Sequence, residues 1–216
     1  LSIVIEGQGY VGVGSRLYRG WLVLHVSGPE DFYVHNHVDM ESYLASVIAK
    51  ELYPQFHLEA YKAQAIAART YALYELATRG QNNTFDVFDS QRSQVYQGLT
   101  VETDKSWAAV RATHARVLAF GPSGQERIFL AQFSACNGGY VNGAHVIRDV
   151  RNVIPPLAGG QQDQDGKNCP LYSWGPVRVR KARLFRILAD RFSAVADLGD
   201  LATVRVRSET SYSRPV

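Results

Sequence analysis

Hydrophobic and polar residues alternate with a helical period along two neighbouring stretches, at about residues 39–53 and 57–79. In the first stretch the apolar positions recur every three or four residues, at Leu44, Val47, Ile48 and Leu52. This spacing is typical of a helix that buries one face. Pro54 separates the two stretches, because proline cannot donate a helical hydrogen bond and restricts the residue before it. The pattern therefore predicts two packed helices joined by a short turn.

Strand-like patterns flank these helices. Residues 1–36 alternate apolar residues with polar residues or glycine, which predicts two to four strands. Two further candidates, RVLAF at 116–120 and RIFLAQF at 127–133, are separated by a glycine-containing turn. Because helices and strands occupy separate stretches, we predict an α+β fold in which the two central helices pack against antiparallel or mixed strands.

The length of 216 residues suits a single domain with its own core. We therefore predict one domain over 1–216, with residues 154–200 as a candidate subdomain. Because the chain opens at Leu1 rather than at methionine, we expect a fragment or a processed form of a longer protein. No apolar run approaches the roughly 18 residues of a membrane-spanning helix, so we expect no membrane span in this chain.

Charge is distributed unevenly, although the net charge is only +3. Residues 109–216 hold most of the excess arginine, and the pattern at Arg180–Phe192 predicts a basic amphipathic helix. A basic half suggests an anionic partner such as a cell-wall polymer, a lipid headgroup or nucleic acid. The alternative is a solvated basic helix without a ligand. Nucleic acid is the least supported of these partners, and we do not expect the chain to bind it.

Two charged residues interrupt the apolar faces of the predicted helices. Glu51 follows the buried stripe of the first helix, and Arg69 lies on the corresponding face of the second. Carboxylates and guanidinium groups are rarely buried unless they are paired or are used. Glu51 and Arg69 are therefore candidate functional residues. The structural alternative is an ion pair of Glu51 with Lys50, Lys62 or Arg69.

The chain has two cysteines, Cys136 and Cys169. In an oxidising compartment they could form one stabilising disulfide. Two unpaired thiols are an alternative, and so is a metal site, which would need His or carboxylate partners to complete a tetrahedron.

Five short segments carry a more specific signal. In chain order they are YRGW (18–21), VDMESYLASVIAKELYP (38–54), KAQAIAARTYAL (62–73), SQVYQG (93–98) and SACNGG (134–139). Together they resemble the SpoIID/LytB family of stage II sporulation protein D and amidase-enhancer proteins. The third segment matches the family signature almost letter for letter. The resemblance covers most of the chain and implies a SpoIID-like fold.

The resemblance implies a lytic transglycosylase that cuts the glycan strands of peptidoglycan, with Glu51 as its catalytic acid. Such an enzyme cleaves the bond between N-acetylmuramic acid and N-acetylglucosamine, forms a 1,6-anhydro product and prefers denuded glycans. The position suits this role, because an apolar helix face and the negative end of a helix dipole both favour a protonated carboxyl. We therefore expect a secreted, periplasmic or cell-envelope-associated protein. The alternative is a non-catalytic wall-binding protein that recruits or enhances a cell-wall amidase.

The resemblance also implies a set of residues that line the cleft and contact the glycan strand. They are Lys62, Gln64, Arg69, Ser93, Gln94, Tyr96, Ser134 and Asn137. Structural roles are the alternatives: an ion pair for Arg69, an ordinary half-buried ring for Tyr96 and a tight turn for the loop at 134–139.

Some members of the family bind zinc near this loop, where relatives often carry a histidine. Phe133 precedes Ser134 here, and the loss of a nitrogen ligand favours a Cys136–Cys169 disulfide over zinc. We therefore expect no cofactor, with zinc near these two cysteines as the weaker alternative. The expected partners are peptidoglycan glycan strands and, for the alternative function, a cell-wall amidase.

Overall fold

The computed structural model describes residues 2–79, 84–134, 136–144, 154–164, 166–169, 172, 176–197, 199 and 201–205. The chain divides into two compact units, Leu1–Ala135 and Cys136–Val216. The candidate subdomain at 154–200 lies inside the second unit. Helices and antiparallel strands are both present, which confirms the α+β class.

Both predicted helices form, with ends within two residues of those expected. Helix α1 spans Met40–Glu51, and Asp39 caps it by accepting a hydrogen bond of 3.0 Å from the Ser42 amide. Helix α2 spans Leu58–Thr78, and the His57 ring caps its first turn. Histidine is an unusual cap, so the residue pattern did not indicate this contact.

The core of the first unit lies where α1, α2 and a third helix meet. Helix α3 spans Asp104–Ala112 and begins with a reciprocal pair of hydrogen bonds between Thr103 and Ser106. The alanines of α2 lack side-chain bulk and let α1 pack closely against it. The fully buried core residues shared by the three helices are Leu44, Ala45, Val47, Ile48, Ala65, Ala68, Ala109 and Val110.

The strands of the first unit form three antiparallel sheets. Strands β1 (Ser2–Glu6), β4 (Trp21–Val26) and β5 (Phe32–His37) make a three-stranded sheet in the order β1-β4-β5. Between β1 and β4 in sequence, β2 (Val11–Val13) and β3 (Arg16–Tyr18) form a hairpin. Five strands therefore fill the region in which two to four were predicted.

The strands predicted at 116–120 and 127–133 are much shorter than expected. Only β6 (Ala119–Phe120) and β7 (Arg127–Ile128) pair. The reason is that residues 116–118 bond to α2 instead. The Leu118 amide donates to the Thr70 hydroxyl at 2.8 Å, and the Arg116 carbonyl accepts from the Arg69 guanidinium at 3.0 Å.

The second unit contains two described α-helices, α4 (Lys181–Arg191) and α5 (Ser193–Ala196). Helix α4 confirms the predicted basic amphipathic helix, and none of its residues is buried within the described part of the chain. Tyr140 and Gln162 form an isolated antiparallel bridge. Among the described helices of both units, none has the length and apolar character that crossing a membrane requires.

Candidate active site around Glu51

Glu51 is the last residue of α1, and its side chain is half-buried. Its Oε1 atom accepts a hydrogen bond of 3.1 Å from the Val95 amide. Within the described residues, no ion pair includes Glu51. Lys62 pairs with Glu59 at 2.7 Å, and Arg69 pairs with Glu41. The described residues therefore do not show the structural alternative for Glu51, an ion pair with Lys50, Lys62 or Arg69.

The segment at 93–97 is what holds the Glu51 carboxyl in place. Its amides at alternate positions donate to α1: Val95 to Glu51, and Gln97 to the Ser46 hydroxyl at 3.2 Å. In an extended segment successive side chains point to opposite sides. Gln94 and Tyr96 alternate with Val95 and Gln97 along the segment, and their side chains lie in the core.

Gln94 and Tyr96 are buried, and both side chains are hydrogen-bonded within the framework of the first unit. Gln94 is 1% exposed, accepts from the Tyr43 hydroxyl at 2.9 Å and donates to the Ala68 carbonyl at 3.2 Å. Tyr96 is 6% exposed, and its hydroxyl donates to Asn36 at 2.7 Å. Both polar groups already have protein partners, so neither is available to a substrate.

Arg69 is also part of the framework. It is 2% exposed, and its Nε and Nη2 atoms donate to the two oxygens of Glu41 at 2.9 and 2.6 Å. Its Nη1 atom donates to the carbonyls of Ala65 and Arg116. The guanidinium thus joins the first turn of α1, the middle of α2 and the chain after α3. These contacts favour the structural alternative for Arg69, an ion pair, here with Glu41. Its predicted role in substrate binding stays a prediction.

Gln64 and Lys62 lie on α2 and differ in how their polar groups are used. Lys62 is half-buried, and its ammonium group is bound by Glu59 one turn earlier. The Nε2 atom of Gln64 is buried, and it has no hydrogen-bond partner in the described part of the chain. A buried donor without a partner costs about 1–3 kcal/mol. Among the predicted contacts in the described residues, Gln64 is the one with a buried side-chain donor that has no partner.

Tyr71 is a candidate that was not predicted. It lies seven residues after Gln64 and so shares its face of α2. Its ring meets Phe133 edge-on, with ring centroids 6.4 Å apart. Burial raises the pKa of Tyr71, and the charge of Glu75 adds to this, while the nearby Ser93 hydroxyl acts to lower the pKa of its phenol. A neutral phenol therefore stands beside the 93–97 segment, and the seven-residue spacing from Gln64 could have indicated it.

Ser93 and Ser134 occupy different positions around Tyr71. Ser93 is half-buried, and its hydroxyl accepts from the Phe88 amide at 3.2 Å, which closes the turn that begins the segment. Ser134 is exposed and directly follows Phe133. The structure thus places Ser93 in the framework of the first unit and leaves Ser134 accessible.

Asn137 belongs to the second unit, where it stabilises a turn. Its side-chain nitrogen donates to Asp163 at 3.0 Å, and its oxygen accepts from the Gly139 amide at 2.8 Å. Gly138 and Gly139 both have positive φ angles, a conformation that glycine adopts without strain. These contacts favour the tight-turn alternative for this loop.

Cys136 and Cys169 are both half-buried, and their sulfur atoms are not bonded to each other in the structure. The disulfide therefore stays a prediction. The described residues contain no cluster of three or more His, Cys, Asp or Glu side chains that could hold a metal ion. Zinc near these two cysteines stays the weaker alternative to a disulfide.

Two open hollows are present among the described residues of the first unit. One has a volume of about 370 Å³ and is lined by Glu6, Gly7, Gly9, Gly20 and Trp21. The other has a volume of about 300 Å³ and is lined by Arg79, Phe85, Asp86, Phe88 and Arg92. Glu51 lines neither of them, so the cleft predicted beside it is not one of these two hollows.

Residues 29–120 match the family model for SpoIID, described as a stage II sporulation protein. The matched region contains α1, α2, α3, Glu51 and the 93–97 segment. This region is therefore SpoIID-like, and the expected resemblance to the SpoIID/LytB family is confirmed.

Two curated relatives extend this comparison. An uncharacterized protein of Brachyspira hyodysenteriae is 30% identical over 159 residues, which cover 74% of this chain and 41% of the relative. The amidase enhancer of Bacillus subtilis is 32% identical over 122 residues, which cover 56% of this chain and 15% of the relative. The chain therefore spans less than half the length of either relative. No solved structure gives a significant match to the chain.

Proposed function

We propose that this chain acts on the bacterial cell wall and cuts the glycan strands of peptidoglycan as a lytic transglycosylase. The match to the SpoIID family model and the similarity to a protein named amidase enhancer support a role at the wall. The observation that carries the enzymatic proposal is the state of Glu51. It is a half-buried carboxyl outside every described ion pair, with one oxygen fixed by the Val95 amide.

The proposed reaction uses the two oxygens of Glu51 differently. Oε1 accepts the Val95 N–H and stays oriented, while Oε2 carries the proton. Glu51 donates this proton to the oxygen that bridges N-acetylmuramic acid and N-acetylglucosamine, and the bond from C1 to that oxygen breaks. The Glu51 carboxylate then accepts the proton of the C6 hydroxyl of the same N-acetylmuramic acid. The O6 oxygen bonds to C1 of that sugar and closes the 1,6-anhydro ring. The proton returns to Glu51, and no water is consumed.

One carboxyl in two successive roles suffices for this reaction, so the paired carboxylates of ordinary glycosidases are not required. The chemistry moves protons and a glycosidic bond alone, and we propose no cofactor for it. Following the family resemblance, we propose denuded glycan strands as the preferred substrate and a secreted, periplasmic or cell-envelope location.

The proposal is tested by incubating the purified chain with denuded glycan strands and measuring anhydro-ended products by mass spectrometry. We expect Glu51→Gln to lower the rate by at least about 100-fold, because a positioned general acid contributes roughly 10²–10⁴ to a rate. Glu126→Gln is the matched control, since Glu126 is an exposed glutamate, and its activity should equal that of the wild type. Equal activity of Glu51→Gln and the wild type would refute the proposal.

The second candidate is a non-catalytic wall-binding protein that enhances an amidase. Two observations favour it: the name of the Bacillus subtilis relative, and the burial of Gln94 and Tyr96, two of the predicted sugar contacts. In this case the wild type would produce no anhydro ends but would increase peptide release by a cell-wall amidase. Glu51→Gln would then stimulate the amidase as well as the wild type does.

A further inference from the structure

A second surface with binding character lies at one end of the three-stranded sheet. There Glu6 of β1, Trp21 of β4 and His37 of β5 stand side by side, because Glu6 pairs with Trp21 and Trp21 pairs with His37. Trp21 is 44% exposed although β4 is the central strand. Glu6 and Trp21 also line the hollow of about 370 Å³ described above, here named the Trp21 hollow.

The indole ring of Trp21 is held in a fixed orientation. It stacks on the imidazole ring of His37, with centroids 5.3 Å apart and planes 4° from parallel. Beside this imidazole, 44% of Trp21 remains exposed to solvent. Phe32 of the same sheet is more exposed, at 58%, but Trp21 also lines the Trp21 hollow.

The rest of the Trp21 hollow is made of backbone. Its other lining residues are the glycines Gly7, Gly9 and Gly20. A side chain at Gly20 would collide with the His37 carbonyl, and Gly20 has a φ angle of +74°. Glycine is therefore required where the YRGW segment passes close to β5. The hollow thus combines a flat aromatic face, a carboxylate and backbone polar groups.

We propose that the Trp21 hollow binds a pyranose ring of a glycan strand, as a subsite separate from the scissile bond at Glu51. The apolar C–H face of the sugar would stack on the indole, and the Glu6 carboxylate would accept hydrogen bonds from sugar hydroxyl or amide N–H groups. A volume of about 370 Å³ falls in the range of roughly 300–1,000 Å³ found for small-molecule sites. The identity of the glycan as a wall polymer rests on the proposed function.

Hydrogen bonds connect this hollow to the segment that holds Glu51. The side-chain nitrogen of Asn36 donates to the carbonyls of Arg19 and Trp21, at 2.9 and 3.1 Å. The side-chain oxygen of Asn36 accepts from the Tyr96 hydroxyl at 2.7 Å. Tyr96 follows Val95, whose amide binds Glu51. The subsite and the proposed acid are thus parts of one hydrogen-bonded framework in the first unit.

Arg19 adds a second connection to this framework. Its guanidinium donates to both oxygens of Glu102, at 3.0 and 2.9 Å, and lies 5.3 Å from the centre of the Trp107 ring. The pairing with Glu102 raises the pKa of Arg19, so the group stays charged. This contact fixes the start of β4 and gives the YRGW segment a structural role at Arg19 beside the binding role proposed for Trp21.

Binding is tested in the full chain carrying Glu51→Gln, with a soluble β-1,4-linked oligomer of N-acetylglucosamine as the probe. Titration calorimetry and the change in tryptophan fluorescence measure the affinity for this oligomer. In the Glu51→Gln background, we expect Trp21→Ala to lower that affinity about tenfold or more. Phe32→Ala is the matched control, because Phe32 is a 58% exposed aromatic residue of the same sheet, and its binding should be unchanged. Thermal unfolding verifies that each variant is folded.

Equal affinity of Trp21→Ala and its parent would overturn the inference, and so would a parent that does not bind the oligomer. A shift from dimer to monomer on Trp21→Ala, without loss of sugar binding, would also overturn it by assigning the surface to self-association. These outcomes are separable from the proposed function. Wild-type cleavage that Trp21→Ala leaves unchanged refutes only the subsite, and Trp21-dependent binding without anhydro products refutes only the enzymatic activity.

Discussion

Glu51 and Arg69 show how differently two buried charges can be used in one pair of helices. Both interrupt an apolar face, and the residue pattern singles out both. In the structure Arg69 has its guanidinium bound by Glu41 and two carbonyls, whereas Glu51 has one amide donor and no described ion partner. The difference could not be predicted, because the sequence offers Arg69 both Glu41 and Glu51 as partners and only tertiary packing selects between them.

Removing Arg69 should therefore affect stability. We predict that Arg69→Ala lowers the free energy of unfolding by about 3–5 kcal/mol, since it leaves the Glu41 carboxylate without its partner in a partly buried site. Lys62→Ala breaks a pair with the exposed Glu59 within one helix turn, and it should change the free energy of unfolding far less than Arg69→Ala does. Urea unfolding of the two variants measures the difference. An Arg69→Ala chain as stable as the wild type that has lost only glycan binding would support the predicted contact with substrate.

His35 provides a prediction about pH. Burial lowers the pKa of His35 below its ordinary value of 6.5, and the neighbouring charges of His25 and His37 lower it further. The folded chain then binds fewer protons than the unfolded chain, so the free energy of unfolding falls as the pH drops below about 6.5 toward the pKa of folded His35. We expect His35→Phe to remove the part of this pH-dependent loss of stability that His35 causes. Urea unfolding between pH 7.5 and 5.5 measures it, with the exposed His114→Phe as control; equal pH slopes for the wild type and His35→Phe would contradict the prediction.

At the scale of elements, α1 and the 93–97 segment make the candidate site. The period of α1 predicts its ends and the position of Glu51 correctly, because apolar spacing and caps act locally. The 93–97 segment is different, since both of its sides carry polar residues and no alternation marks the buried one. Hydrogen bonds from its amides to Ser46 and Glu51 decide that Gln94 and Tyr96 face the core. That information is tertiary, which is why the burial of these two side chains could not be predicted from the sequence.

The cap of α1 is a local feature with a measurable cost. We predict that Asp39→Ala lowers the free energy of unfolding by about 1 kcal/mol, because the Ser42 amide loses its acceptor. Asp39→Asn keeps an acceptor of similar geometry and should cost much less. Thermal or urea unfolding of the pair measures this difference. Equal losses for both variants would show that the carboxylate charge, rather than the cap hydrogen bond, is what stabilises the helix.

At the scale of the whole molecule, the SpoIID match and the hydrogen-bonded framework lie in the same unit. Residues 29–120 contain the helices, Glu51 and the segment that holds it, and Asn36 joins them to the sheet that carries Trp21. The α+β class followed from the separation of helical and strand-like patterns. The shortness of β6 and β7 did not, because the amides and carbonyls at 116–118 bind α2 across a long stretch of sequence.

The most direct test of the account is the chemistry of the cleaved end. Denuded glycan strands are digested with the wild type and with Glu51→Gln in water enriched in oxygen-18, and the products are analysed by mass spectrometry. We expect the wild type to release products with 1,6-anhydro ends that contain no oxygen-18, and Glu51→Gln to release almost none. Reducing ends that carry oxygen-18, or equal amounts of anhydro product from both proteins, would refute the proposed role of Glu51.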